Sequence, residues 1–309
     1  MTTTTRERPV IIGIVGDSAA GKTTFAAGLL QILGPERTLG ICIDDYHRYS
    51  RRERARLGIT PHHPEANYID ILEQHVDLLR EAQPILKPVY DHDGGILRPP
   101  EYVRPAPFII LEGLLGLSTQ RLRDACDVKI YLDPQTPLRL RWKFQRDTGV
   151  GGYAVEDVMS AIETLKRDSD AFVVPQRAYA DMVICFCPPD EDPEDSGPRL
   201  NVRHILRPTL PPLDLAPLLE AGAGKGAAME LARDVGMPVD ALDVIGAEVA
   251  DDPELEEVLW SRLAGHGAPM PHLGRYRDEG GTIAYSRPLA VSQLLVAHYV
   301  MDAAVQDAA

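Results

Sequence analysis

A short run near the N-terminus has the residue types of a site for a phosphate chain. Residues 16–23 read GDSAAGKT and fit the spacing G-x-x-x-x-G-K-[ST] of a phosphate-binding loop. The two glycines let successive backbone N–H groups turn inward on a phosphate, and the following helix adds its positive N-terminal end. Lys22 can reach the β- and γ-phosphates of a nucleotide, and the Thr23 hydroxyl is placed to bind Mg²⁺. The residues predicted to contact the nucleotide are Gly16, Asp17, Ser18, Ala19, Ala20, Gly21, Lys22, Thr23 and Thr24.

Carboxylates directly follow two predicted strands. Asp44 and Asp45 come after the apolar run 39–43, and Glu112 comes after the apolar run 108–111. In open α/β sheets, ligands and catalytic groups gather at the carboxyl ends of strands. An acid there can accept a proton from a substrate hydroxyl or act on Mg²⁺ and its water shell. The residue types leave open which aspartate is the base and whether either only caps the next segment.

Basic side chains are concentrated in two segments. Residues 48–56 read RYSRRERAR, which favours a phosphorylated substrate, although a solvated helix face explains most of these arginines. In the predicted helix 136–148, Arg139, Lys143 and Arg146 share one face. That cationic face is typical of a lid that closes over transferring phosphates, and the alternative is a charged solvent face.

The elements around these residues alternate between strands and helices. Apolar runs at 10–15, 39–43, 108–111, 128–132 and 183–186 predict buried strands, and helical spacing follows the first of them. We therefore expect an α/β fold like that of P-loop NTPases, with a predominantly parallel sheet and flanking helices. Two apolar stretches around a Gly-Gly turn in residues 84–97 predict a β-hairpin, in which Tyr90 and His92 either line a pocket or pack.

Composition excludes several classes of partner. The chain of 309 residues carries a net charge of −14, which argues against nucleic acid or an anionic membrane as a partner. No apolar run approaches the ~20 residues of a membrane span. The spacing of the four cysteines suggests neither a zinc site nor a disulfide framework, so we expect a reducing, cytoplasmic setting.

Six segments in order resemble the phosphoribulokinase and uridine kinase family, and more closely its phosphoribulokinase branch. They read GDSAAGKTT, DDYHRYSR, PVYDHDGG, LEGLL, KFQRD and DAFVVPQRAYAD, and the resemblance runs from about residue 11 to residue 187. Composition predicts a disordered lead at 1–8 and an acidic, mainly helical C-terminal module at 210–309. The resemblance implies a P-loop kinase domain between them, at 9–209. It also implies a homo-oligomer, most simply a dimer.

The resemblance implies transfer of the γ-phosphoryl group of ATP to a sugar hydroxyl with Mg²⁺. Ribulose 5-phosphate is the acceptor expected for the phosphoribulokinase branch. The matching positions make Asp44 the catalytic base, and Lys22 and Lys143 the residues that hold the transferring phosphates. Thr23 and Glu112 form the magnesium site. The residues expected to bind the sugar phosphate are His47, Arg51, Tyr90, His92 and Arg146.

Two departures from the family pattern leave alternatives open. Leu115 stands where phosphoribulokinases usually have a histidine, and Gly151 stands where they usually have a second lid arginine. Either one of Lys166, Arg167 and Arg177 replaces that arginine, or the acceptor is not ribulose 5-phosphate. A uridine kinase and a nucleotide-sensing protein without turnover are the other hypotheses.

Overall fold

The apolar run before the phosphate-binding loop forms an interior strand of an eight-stranded sheet. This computed structural model describes residues 8–150, 152, 154–264, 273–278 and 280–306. The strands are β1 Val10–Gly16, β2 Thr38–Cys42, β3 Ile85–Asp91, β4 Ile96–Val103, β5 Phe108–Gly113, β6 Val128–Leu132, β7 Met182–Cys187, β8 Asn201–Leu206, β9 Ala227–Asp234, β10 Met237–Val244, β11 Arg275–Arg277 and β12 Ile283–Tyr285. The helices are α1 Lys22–Leu33, α2 Arg51–Leu57, α3 Ile69–Arg80, α4 Gln120–Ala125, α5 Thr136–Gln145, α6 Val155–Asp168, α7 Ala216–Gly222, α8 Gly246–Val249, α9 Glu254–Ala264 and α10 Arg287–Gln306.

The main sheet has the order β2-β5-β1-β6-β7-β8-β10-β9. The neighbours from β2 to β7 pair in parallel, and β8, β10 and β9 are added antiparallel. This confirms the predicted mainly parallel α/β sheet. Because parallel strands end at the same edge, the phosphate-binding loop and the residues that follow β2 and β5 lie beside one another.

Helices cover both faces of the sheet. On one face, α1 and α10 pack with alternate residues of β1 and β5, and on the other face α3 and α4 pack with the remaining residues of those strands. The β3–β4 hairpin forms a separate two-stranded sheet, as its sequence predicts, and packs against the turn after β2. That turn is therefore held between β5 and the hairpin.

The C-terminal part contributes strands as well as helices. The sequence predicts a mainly helical module, and α7 to α10 lie there, but the prediction omits β9 and β10, which extend the main sheet. Helix α10 is apolar and long enough to cross a membrane. However, 67% of its apolar stretch within Arg287–Val305 is buried inside the protein, where the helix packs on α1. The domain boundary after residue 209 stays a prediction.

Candidate active site

The phosphate-binding loop joins β1 to α1. The chain enters α1 through Gly21, whose φ of 88° lies in the left-handed region that favours glycine. Lys22 is buried, and its Nζ donates hydrogen bonds to the carbonyl oxygens of Gly16 and Asp17, each at 3.0 Å. The ammonium group is thus held against the loop that would surround a triphosphate.

Asp17 connects this loop to the segments that would cover it. Its carboxylate accepts hydrogen bonds from the Ser169 hydroxyl at 2.8 Å and from the backbone N–H of Ser18 at 2.6 Å, and it pairs with Arg139 at 3.1 Å. Burial pushes the pKa of Asp17 up, but Arg139, His62 and these hydrogen bonds hold it below its usual value. The carboxylate is therefore charged and committed to contacts within the protein.

Glu112 and the turn after β2 meet at the carboxyl edge of the sheet. The parallel register places Glu112 opposite Cys42, the last residue of β2. The Thr23 hydroxyl donates to Glu112 Oε1 at 3.2 Å. The following residue, Gly113, permits a close approach, because a Cβ there would lie 3.1 Å from Asp44 Oδ1. The loop, Glu112 and Asp44 therefore share one small region.

Thr23 and Glu112 fit a hard cation such as Mg²⁺. Burial raises the pKa of Glu112, and the neighbouring charge of Asp44 adds to this against the opposing effect of Lys22. A cation beside the carboxylate would favour its charged form. Within the described ranges no three His, Cys, Asp or Glu side chains form a metal-binding group, so phosphates and water would complete the coordination.

The two aspartates after β2 have different environments. Asp45 forms an ion pair with Lys87 and accepts a hydrogen bond from the backbone N–H of Tyr90 at 3.0 Å, so it anchors the hairpin. Asp44 accepts one hydrogen bond, from the backbone N–H of Leu114 at 3.2 Å, and forms no ion pair with any described residue. Of the two, Asp44 therefore has the carboxylate available for chemistry.

An aromatic cluster lies beside Asp44. The rings of His47 and Tyr90 meet edge to face at 4.8 Å between centroids, and His92 lies 5.1 Å from Tyr90 and 6.2 Å from His47. Burial lowers the pKa of His47 to about 4, against the opposing charge of Asp44. The structure thus brings together three of the residues expected to bind substrate, with His47 in its neutral form.

Two arginines of α2 reach the same cluster. Arg51, an expected substrate ligand, donates through Nη2 to the carbonyl oxygen of His92 at 2.5 Å. The sequence does not single out Arg54, which is buried, donates to the Tyr90 hydroxyl at 2.9 Å and lies 5.1 Å from the centre of that ring. The signal that could have found Arg54 is its spacing, three residues after Arg51 on one helical face.

Cationic side chains of α5 and of Arg146 directly after it face the phosphate-binding loop; α5 ends at Gln145, earlier than the predicted 148, and a π-helical turn follows. Arg146 Nη2 lies 3.4 Å from the Ser18 hydroxyl, and Arg139 donates to the Ser18 carbonyl oxygen at 3.2 Å. Lys143 is buried and pairs with Asp147 at 2.8 Å, and Arg146 pairs with the same carboxylate at 2.7 Å. Arg141 points away and pairs with Glu194 at 2.7 Å.

The departures from the family pattern have structural consequences. Leu115 is buried in a small apolar cluster with Leu114 and Val173, so this position serves packing here. Gly151 lies outside the described residues. Arg177, one suggested replacement for the missing arginine, is committed to ion pairs at 2.7 Å with Asp133 and with Asp234. The other two suggested replacements, Lys166 and Arg167, are exposed on α6.

Comparison with known proteins finds kinases among the relatives of this chain. A phosphoribulokinase from Synechocystis is 36% identical over 221 residues, which cover 72% of this chain and 67% of that protein. A uridine kinase from Latilactobacillus sakei is 33% identical over 187 residues, covering 59% and 88% of the two chains. The chain spans between about half and two thirds of the length of the phosphoribulokinases that it matches.

The fold agrees as well. A solved phosphoribulokinase from Rhodobacter spheroides superposes with a TM-score of 0.59 at 18% identity, covering 84% of this chain and 98% of that chain. Residues 11–191 match the family described as Phosphoribulokinase / Uridine kinase. This stretch contains the phosphate-binding loop, the three strand-end acids Asp44, Asp45 and Glu112, the hairpin and α5. The chain therefore belongs to the phosphoribulokinase / uridine kinase family, whose members are kinases.

Proposed function

We propose that this protein transfers the γ-phosphoryl group of ATP to a hydroxyl of D-ribulose 5-phosphate, giving ribulose 1,5-bisphosphate and ADP. The observation that carries the proposal is the position of Asp44. It lies at the end of β2, beside Glu112 and the phosphate-binding loop, and it forms no ion pair with a described side chain, whereas Asp45 is paired with Lys87.

In the proposed reaction Asp44 accepts the proton of the attacking hydroxyl. The hydroxyl oxygen forms a bond to the γ-phosphorus, and the bond from that phosphorus to the oxygen bridging the β- and γ-phosphates breaks, so that ADP leaves. Lys22 and Lys143 offset charge on the transferring group. Mg²⁺, when held by Thr23 and Glu112, would neutralise charge on the phosphate oxygens.

The acceptor is proposed to lie between the hairpin and α5. Arg51, His47, Tyr90 and His92 line the hairpin side, and Arg146 lies on the loop side. Guanidinium groups suit a sugar phosphate, since they form paired hydrogen bonds to phosphate oxygens. The phosphoribulokinase relatives support this acceptor, and the uridine kinase relative supports uridine as the second candidate. A dimer in the cytoplasm stays a prediction.

An assay of ADP release with ATP and Mg²⁺ tests the proposal. We expect turnover with D-ribulose 5-phosphate and a much lower kcat/KM with uridine. The reverse order would replace the acceptor and keep the reaction class. ATP binding without ADP release in the presence of either acceptor would contradict this kinase assignment and favour the nucleotide-sensing alternative.

A further inference from the structure

Two hydrogen bonds fix the orientation of the Asn67 side-chain amide. Asn67 Nδ2 donates hydrogen bonds to the carbonyl oxygen of Pro61 at 3.0 Å and to that of His63 at 2.9 Å. Both partners only accept hydrogen bonds, so the NH₂ group must face them. The amide oxygen is then the atom that lies 2.6 Å from His47 Nδ1.

That orientation determines the tautomer of His47. The amide oxygen of Asn67 can only accept a hydrogen bond, so His47 Nδ1 must carry a hydrogen and donate it. The ring is buried, which favours the neutral form, and in that form Nε2 has a lone pair and no hydrogen. Nε2 forms no hydrogen bond with the described part of the chain.

We propose that Asn67 is a positioning residue that holds His47 in the Nδ1–H tautomer, so that Nε2 accepts a hydrogen bond from a hydroxyl of the acceptor substrate. This inference rests on the proposed function for the nature of the acceptor. It also changes the expected role of His47. A bare nitrogen acceptor cannot donate to a phosphate oxygen, so the phosphate falls to the arginines, which have donors only.

The charged and titratable groups around His47 come from the turn after β2, from α2 and from the β3–β4 hairpin. Asp44 belongs to its own turn, Arg54 to α2, and Tyr90 and His92 to β3 and the hairpin turn. Asp44 favours the protonated ring, while Arg54 and His92 oppose it. The hydrogen bond to Asn67 also raises the pKa of His47, but Asn67 adds none of the negative charge by which a carboxylate would favour the imidazolium further.

Nitrogen NMR of the full chain labelled with ¹⁵N-histidine tests the tautomer directly. His47→Gln identifies the His47 signals among those of the nine histidines. At pH 7.5 we expect a protonated Nδ1 and an unprotonated Nε2, and saturation with D-ribulose 5-phosphate should shift Nε2 toward the value of a hydrogen-bonded acceptor. A protonated Nε2 in the free protein, or an unchanged Nε2 signal in a protein that turns this substrate over, would overturn the inference.

Steady-state kinetics separate positioning from folding. We expect Asn67→Ala to raise KM for D-ribulose 5-phosphate about tenfold with a smaller change in kcat, and to leave KM for ATP unchanged. Asn67→Asp should move the acid limb of the pH profile to higher pH, because its charge favours the imidazolium. The matched control is Asn201→Ala. Asn201 Oδ1 accepts a hydrogen bond from the Gly246 N–H, remote from the phosphate-binding loop, so losing it should leave both KM values unchanged.

The outcomes distinguish the inference from the function on which it rests. Absence of turnover with D-ribulose 5-phosphate would overturn the proposed function, while the tautomer would still be read from the free protein. Equal KM changes for ATP and acceptor in Asn67→Ala would indicate a general structural role and contradict positioning. If Asn67→Ala does not fold, the wild-type spectra with and without the acceptor decide the question.

Discussion

The carboxylate of Asp45 is paired with the ammonium group of Lys87, and both side chains are largely buried, at 13% and 9% exposed. This pair connects the turn after β2 to the β3–β4 hairpin. Its neighbour Asp44 has no such partner among the described residues and lies against β5. The two adjacent aspartates thus have different roles. Asp45 holds the hairpin, and the carboxylate of Asp44 is left available to the reacting groups.

An asparagine substitution should impair catalysis at Asp44 and stability at Asp45. We expect Asp44→Asn to lower kcat by about 10²–10⁴-fold with little change in stability, because it removes a general base and no ion pair. Asp45→Asn should lower the free energy of unfolding by about 3 kcal/mol, because buried Lys87 loses its close partner and is left with the exposed carboxylate of Glu101 at 3.9 Å. ADP release and urea unfolding measure the two effects. A loss of kcat in Asp45→Asn equal to that in Asp44→Asn would contradict the assignment of the base.

The two faces of α5 allow a matched comparison. Lys143→Met removes the buried ammonium group beside Asp147 and should lower kcat by about 10²-fold, since one preorganised donor is lost. Arg141→Met removes a cation from the opposite side, where it pairs with Glu194, and should change kcat less than twofold. Similar losses in both variants would mean that the helix has only a general electrostatic effect.

Arg54 should support the acceptor site although the sequence does not single it out. Arg54→Lys loses the planar fork that donates to the Tyr90 hydroxyl and to the Tyr49 carbonyl oxygen. We expect KM for the acceptor to rise and stability to fall by about 1–2 kcal/mol. Arg52→Lys, at an exposed position of the same helix, is the control and should match the wild type. An unchanged KM in Arg54→Lys would exclude this supporting role.

Stability should fall in weakly acidic solution because of buried histidines. Burial lowers the pKa of His204 to about 4. Its Nδ1 donates a hydrogen bond to the Leu242 carbonyl oxygen, and its Nε2 lies 2.8 Å from the Ser292 hydroxyl. Between the unfolded pKa near 6.5 and about 4 the unfolded chain binds the proton more strongly, so stability decreases as pH falls through this range.

The expected loss from His204 is about 3 kcal/mol between pH 7 and pH 4. Urea unfolding at several pH values measures it, and His204→Gln is the comparison that isolates this group from the carboxylates. The variant should be less stable at pH 7 and should have a flatter dependence on pH. Parallel curves for the wild type and the variant would show that His204 contributes nothing to this dependence.

The sequence by itself determined the phosphate-binding loop, the parallel sheet and the candidate acids. These depend on residues close together in the chain: the loop occupies consecutive positions, and a buried strand is recognised from its own apolar residues. The cationic face of α5 also follows from spacing along one helix. The same local patterns did not reveal β9 and β10, whose places depend on pairing with each other and with the distant β8.

Only the tertiary structure decided how similar residues divide their tasks. Asp44 and Asp45 differ through Lys87 and Tyr90, more than forty positions away, and Arg177 is removed from the candidates for the acceptor site by Asp234. A charged side chain has the same formal charge wherever it stands. Its availability depends on whether folding brings it a partner and removes water, and that is a property of contacts between distant segments.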